Sequence, residues 1–190
     1  MSVISTTKMT ARQFLMLGED PPGVRLELVN GEIAASPSPV PRHSYVDTQL
    51  RTILNRHVQA QDLGMIFGDV GTIFGEHDVR RPDIIYFSKG RYDMIGKTAM
   101  EGPPDLCIEI LSRSSIQTDR KDKFKRYAQG GVRYYWIVDP QSRSIEAYCL
   151  GGGKFRLTGQ GPNSQRVQLD PFPDLEIPLG EIWFPLRNAD

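Results

Sequence analysis

The sequence predicts an α/β fold with strands in the majority, and three observations carry that expectation. Residues 42–60 set Val46, Leu50, Ile53, Leu54 and His57 or Val58 at helical spacing, the buried stripe of an amphipathic helix. Residues 82–88 (PDIIYFS) and 105–112 (DLCIEILS) are short apolar runs of the kind that form central strands. From residue 118, TDRKDKFKRYAQGGV forms a second helix stopped by Gly130-Gly131, and RYYWIVD follows at once as a strand.

The remaining elements follow in chain order. Thr10 and Gln13 have the spacing of a capping box, opening a short helix over residues 10–18 with Phe14, Leu15 and Leu17 as its apolar side. In RLELVNGEIAAS two alternating runs flank Asn30-Gly31, the strongest short hairpin signal. Leu26, Leu28, Ile33 and Ala35 share one face of that hairpin, and Glu27 and Glu32 share the other. SPSPVPR is an extended connector. His43, three before Val46, faces inward from the first turn of the next helix. Residues 65–74 are β-rich, and residues 89–104 form a loop or a brief helical turn. After the turn at Asp139-Pro140, SIEAYCL and KFRLTG make a second hairpin around Gly151–Gly153, and a weakly alternating tail ends in EIWF. With no internal repeat and no linker, the 190 residues are expected to form a single domain with its core at about 9–185.

Bulk properties narrow the function classes. No apolar run approaches the roughly 20 residues needed to span a bilayer. The N-terminus, MSVISTTKMTARQF, lacks the pattern of a secretion signal, so a cytoplasmic protein is expected. Cys107 and Cys149 lack metal-site spacing and are expected to be strand thiols rather than a disulfide. Lys plus Arg equals Asp plus Glu at 23 each, an awkward balance for a protein that binds phosphates, although local patches matter more than the total. Arg113, Arg120, Lys121, Lys123, Lys125 and Arg126 do cluster. Most of these suit a solvated helix face as well as a binding patch.

The informative feature is a pair of acids where apolar residues belong. Glu109 interrupts a central strand, and Asp83 heads its neighbour. A buried carboxylate without a partner costs several kcal/mol, so each needs a counter-charge or a task. If the two strands pair, both acids sit at one end of the sheet, where a pKa rises unless a cation lies between them. Mg²⁺ suits such a site because it accepts one or two carboxylates plus waters. The structural alternative is a salt-bridged pair, with Arg120 or Lys123 as the partner of Glu109. Asp105 repeats the Pro-Asp dipeptide but lies about 13 Å from Glu109 along one strand, too far to share an ion.

These motifs carry a family resemblance. Pro82-Asp83, Glu109-Ile-Leu and a downstream lysine resemble the PD-(D/E)XK nuclease superfamily. RLELVNGEI, PSPVPRH, RRPDIIYFS, GPPDLCIEILS, KDKFKRYAQGGVRYYWIVDP and EAYCL are similar to the Uma family, whose members are described as restriction endonucleases. The resemblance runs from about residue 9 to the C-terminal EIW. It implies a restriction-endonuclease-like core, a mixed β-sheet flanked by helices, and Mg²⁺- or Mn²⁺-dependent hydrolysis of phosphodiesters in nucleic acid, DNA by preference. It matches Asp83 and Glu109 to the acidic motif positions and Glu27 to a further metal or water ligand in the hairpin. The motif's strand lysine is replaced by Leu111. Lys123 matches the lysine that some superfamily members carry on the following helix. His43 matches the histidine after the connector, as a site-lining group, while Tyr127 and Trp136 are expected to be core aromatics.

The leading expectation is therefore a metal-dependent DNA endonuclease, with a homodimer suggested because cutting two strands takes two sites. A catalytically inactive binding or assembly module of the same fold is the alternative, favoured by the neutral charge and the displaced lysine. An enzyme for a smaller phosphoester is a third possibility, which a closed pocket would support and a wide basic groove would oppose.

Overall fold

The structure is a computed structural model that describes residues 8–113, 115–163 and 165–185. Its centre is a mixed six-stranded sheet in the order β10-β9-β8-β7-β6-β3, comprising β3 (Gly64–Gly68), β6 (Ile84–Ser88), β7 (Leu106–Ile110), β8 (Tyr134–Asp139), β9 (Ser144–Gly151) and β10 (Lys154–Pro162). Only β7 and β8 run parallel, because a helical crossover joins them; the other neighbours are antiparallel. The expected mixed sheet with flanking helices is present.

One face of this sheet is covered by α2 (Pro41–Ala60), whose Val46, Leu50, Leu54 and Val58 are fully buried with Ile84, Ile108 and Trp136. The strands β11 (Arg166–Leu169) and β12 (Phe172–Pro178) and the short α4 (Leu179–Ile182) complete that layer. Trp136 is a core residue, as expected, and its indole N–H donates to the carbonyl of Asp170 at 2.8 Å. The opposite face carries α3 (Phe124–Gly130), which packs Tyr127 against Cys107, Tyr135 and Ile137. Gly131 ends α3 in the left-handed conformation (φ 82°), the stop that the glycine pair predicted.

A second sheet, ordered β2-β1-β5-β4, holds the N-terminal hairpin β1 (Val24–Val29) and β2 (Glu32–Pro37) with β5 (Asp78–Arg80) and β4 (Thr72–Gly75). Asn30 and Gly31 both have positive φ (53° and 86°), the requirement of a two-residue primed turn, and Glu27 pairs with Ala34 in the register expected. The Thr10 capping box is also present.

Several boundaries differ from expectation. The first helix, α1, is only Ala11–Leu15, and Leu17 is exposed rather than packed. The connector is shorter than SPSPVPR because β2 runs through Pro37 and Pro41 starts α2, at the first helical position where proline suits best. The β-rich stretch 65–74 is two strands in different sheets, broken where Asp69 takes φ 53°. No helix among the described residues is long and apolar enough to cross a membrane. Both cysteines are free, Cys107 buried and Cys149 partly so.

Candidate active site

The antiparallel register of β6 and β7 pairs Ile84 with Ile108, and carried one residue further it sets Asp83 beside Glu109. Both lie at one end of these two central strands, 6% and 2% exposed. Asp105 sits at the far end of the same strand pair, accepting from the Ser88 N–H at 2.8 Å. The geometry that excludes it from sharing an ion with Glu109 is therefore as the sequence required.

Asp83 is fixed by donors from three elements. Arg25 on β1 reaches Oδ1 at 3.0 Å, His43 in the first turn of α2 meets Oδ2 at 3.1 Å, and the Ile110 N–H donates to Oδ2 at 2.8 Å. Burial alone raises the Asp83 pKa, but the bond and charge of His43 and the charges of Arg25 and Lys123 outweigh it, so the carboxylate stays ionised well below its usual range.

Glu109 takes a donor on each oxygen: Lys123 Nζ on Oε2 at 2.8 Å and the Tyr127 hydroxyl on Oε1 at 2.6 Å. Its environment is the reverse of Asp83's. Burial pushes its carboxyl up to about 8; Lys123 opposes this, and Asp119 and Asp83 add to it. Burial also works to lower the Lys123 pKa, but Glu109, Glu27, Asp119 and Asp83 together hold its ammonium well above the ordinary value. Burial is the main cause of the rise and the neighbouring acids add to it, and either a proton or a further cation offsets both.

Glu27 projects from β1 toward the same place. Its Oε1 accepts from the Arg81 N–H at 2.7 Å and its Oε2 lies 3.6 Å from Arg80. Against burial, Lys123, the Arg81 N–H, Arg80 and Arg25 keep it ionised. All five residues singled out in the sequence (Glu27, His43, Asp83, Glu109 and Lys123) line one cavity of about 1020 Å³. Its outer wall is the exposed strand β2 and residues 38–40, and Lys8, Lys125 and Arg126 stand on its lining. This is a broad, partly basic cleft rather than a small closed pocket.

Four further residues contribute to the site beyond those that the sequence singles out. Arg25 lies two residues before Glu27 on the same strand face, a spacing that could have revealed it. Arg80 sits on β5, a three-residue strand too short to show a pattern. Tyr127 is a core aromatic as expected, yet its hydroxyl serves Glu109. Asp119, 1% exposed, places Oδ1 3.1 Å from Lys123 Nζ. Arg120, offered as one possible partner for Glu109, pairs instead with Glu146 at 2.8 and 3.0 Å.

The donor chemistry fits a hard dication. Of the six carboxylates that line the cavity, Glu27, Asp83 and Glu109 come from different elements, and Mg²⁺ needs only one or two of them plus waters. Among the described residues no group of three or more acidic, histidine or cysteine side chains forms a ready metal cage, so any ion held here takes most of its ligands from water or substrate.

His43 gives the site a pH signature. Burial lowers its pKa, but the bond and charge of Asp83, with Asp47 adding, raise it above the ordinary 6.5. The stability from the charged pair is fully present below that ordinary value and is lost as pH rises through the raised folded one. Urea unfolding of wild type and His43→Asn is therefore expected to differ most at pH 5–6 and to converge at alkaline pH. A gap that widens with rising pH contradicts the pairing.

Comparison with known proteins bears on the fold and the family. A crystal structure described as a "putative nuclease belonging to DUF820" from Anabaena variabilis ATCC 29413 superposes with a TM-score of 0.74 at 23% identity, covering 92% of this chain and 97% of that one. It establishes the restriction-endonuclease-like fold. A search of curated proteins finds no match. The model of the Uma2 family, described as "Putative restriction endonuclease", matches residues 11–180, and the chain belongs to that family.

Proposed function

We propose that this protein is a divalent-metal-dependent DNA endonuclease in which Asp83 and Glu109 hold Mg²⁺ or Mn²⁺, Glu27 assists, and Lys123 stands beside the reacting phosphate. The observation that carries this reading is the meeting of Asp83, Glu109 and Lys123, from three elements, on the floor of a cleft with basic lining residues. The family's description makes DNA the proposed substrate. The fold is taken as a single domain, and the free thiols suit a reducing cytoplasm.

A bound ion would supply Lewis acidity to a phosphoryl oxygen and a nucleophilic water at neutral pH. The protein's own groups do the rest. Arg25, His43 and the Ile110 N–H lock Asp83 in one orientation, and Tyr127 does the same for Glu109. The Lys123 ammonium keeps a positive charge where negative charge grows on the phosphate as water attacks in line. The exposed Lys8 and Lys125 supply, locally, phosphate-binding charge that a neutral chain lacks overall, while Arg126 is held by Asp78. A homodimer would bring a second site for the second strand.

One observation favours the inactive module instead: every carboxylate oxygen of Asp83 and Glu109 already has a protein donor. Incubation with supercoiled plasmid and single-stranded circles separates the two. The endonuclease reading expects cleavage with Mg²⁺ or Mn²⁺, none with EDTA, and loss on Glu109→Gln. Cleavage that survives Glu109→Gln belongs to a contaminant, and absence of cleavage under all conditions favours the module.

A further inference from the structure

We propose that Asp119 is a positioning residue for Lys123, the group that keeps the ammonium in the cleft when Glu109 is engaged elsewhere. This rests on the endonuclease reading, in which the Glu109 carboxylate is offered to a metal ion.

Lys123 has two acidic partners, Glu109 Oε2 at 2.8 Å and Asp119 Oδ1 at 3.1 Å. A cation on Glu109 competes directly with the first contact and leaves the second untouched. Without a second partner, a long and flexible lysine freed from Glu109 would turn to water, where its charge is best solvated. Asp119 is well placed to prevent this because it is itself immobilised. Its backbone N–H donates to the Ser115 carbonyl at 2.8 Å, and its carbonyl accepts from the buried Tyr135 hydroxyl at 3.0 Å. The next residue, Arg120, clamps the segment to β9 through Glu146.

The local backbone points the same way. Thr118–Lys123 is a π-helical turn that runs directly into α3. Such turns are uncommon, less favourable than α-helix, and concentrated at functional sites. Here the turn carries Asp119 at its start and Lys123 at its end, both buried. If Lys123 only neutralised Glu109, one ion pair would suffice, and a second buried acid would add desolvation for no gain.

The test reads the accessibility of the Lys123 amine by reductive methylation and peptide mass spectrometry, which requires neither metal nor activity. In Glu109→Gln, Asp119 keeps its ion-pair contact with the amine while Glu27 and Asp83 add only longer-range attraction, so labelling rises less than about threefold over wild type. In Glu109→Gln/Asp119→Asn it should rise at least about tenfold, toward the rate of Lys97, and Asp119→Glu in the Glu109→Gln background should retain protection. Labelling that reaches the Lys97 rate in Glu109→Gln alone overturns the proposal, and this arm stands even if the Asp119 variant does not fold. Where wild type cleaves DNA, Asp119→Asn should lower kcat by about 10–100-fold with KM and Mn²⁺ affinity unchanged. Weakened Mn²⁺ binding would make Asp119 a metal ligand and overturn the positioning role. Absence of cleavage by wild type removes the endonuclease reading, while the labelling result still decides what holds Lys123.

Discussion

Asp83→Ala is expected to abolish metal-dependent cleavage, by about a thousandfold or more, and to destabilise the fold in the same step. The two effects share a cause. Asp83 accepts from Arg25, His43 and the Ile110 N–H in a buried position, so its removal strands a guanidinium, an imidazole and an amide. Breaking one side of a buried ion pair typically costs about 3–5 kcal/mol. In a domain of this size that lowers Tm by roughly 2–4 °C per kcal/mol. Asp83→Asn separates the effects: its amide oxygen can still accept one of these bonds, so stability should fall less, while the charge needed to hold a dication is gone. Plasmid cleavage rates and thermal unfolding of the two variants check this. Full activity in Asp83→Asn would remove the carboxylate from the mechanism.

Lys123→Met is the second large effect. Loss of a fixed charge aimed at the phosphate is expected to lower the cleavage rate by about 10²–10³-fold. Stability should also fall, because Glu109 and Asp119 lose the ammonium between them. The pH dependence has a definite sign. Glu109 is already pushed up to about 8 with Lys123 present, and removing that cation raises it further. A carboxyl whose folded pKa exceeds its unfolded value binds a proton in the native state that the unfolded chain lacks. Its contribution is therefore fully present below the ordinary value near 4.5 and is lost as pH rises through the folded value. Lys123→Met should be nearest to wild type in stability at pH 5 and furthest from it above pH 8. A deficit that shrinks with rising pH would contradict the Glu109 contact.

The parts of this site legible in the sequence are those whose placement breaks a local rule. Glu109 inside an apolar strand and Asp83 at the head of another are visible because acids are costly in a buried sheet, and the register between them follows from two short strands that pair. Asn30-Gly31 specifies its hairpin because both residues must take positive φ, and so the face carrying Glu27 is set as well. From the residues alone Lys123 is one of two possible ion-pair partners of Glu109; only the family resemblance gives it a catalytic part, since a lysine on a polar helix segment breaks no rule. Arg80 and Asp119 carry no sequence signal for a related reason, and Arg25 carries only its spacing from Glu27. Each is an ordinary charged residue in a polar context, and its burial arises from packing between elements distant in sequence, β1 against residues 80–83 and the π-helical turn against β8 and β9. The division of 65–74 between two sheets was equally hidden, because an aspartate in the left-handed region at 69 is permitted but not demanded by its neighbours.

The most direct test of the central claim is a crystal structure grown with Mn²⁺, with anomalous scattering recorded for manganese. The account predicts a peak bonded to carboxylate oxygens of both Asp83 and Glu109, at about 2.0–2.2 Å, with Lys123 retained in the cleft beside it. An empty site at saturating Mn²⁺, with Lys123 still bridged to Glu109, would contradict it and leave the acids as a structural ion-pair network.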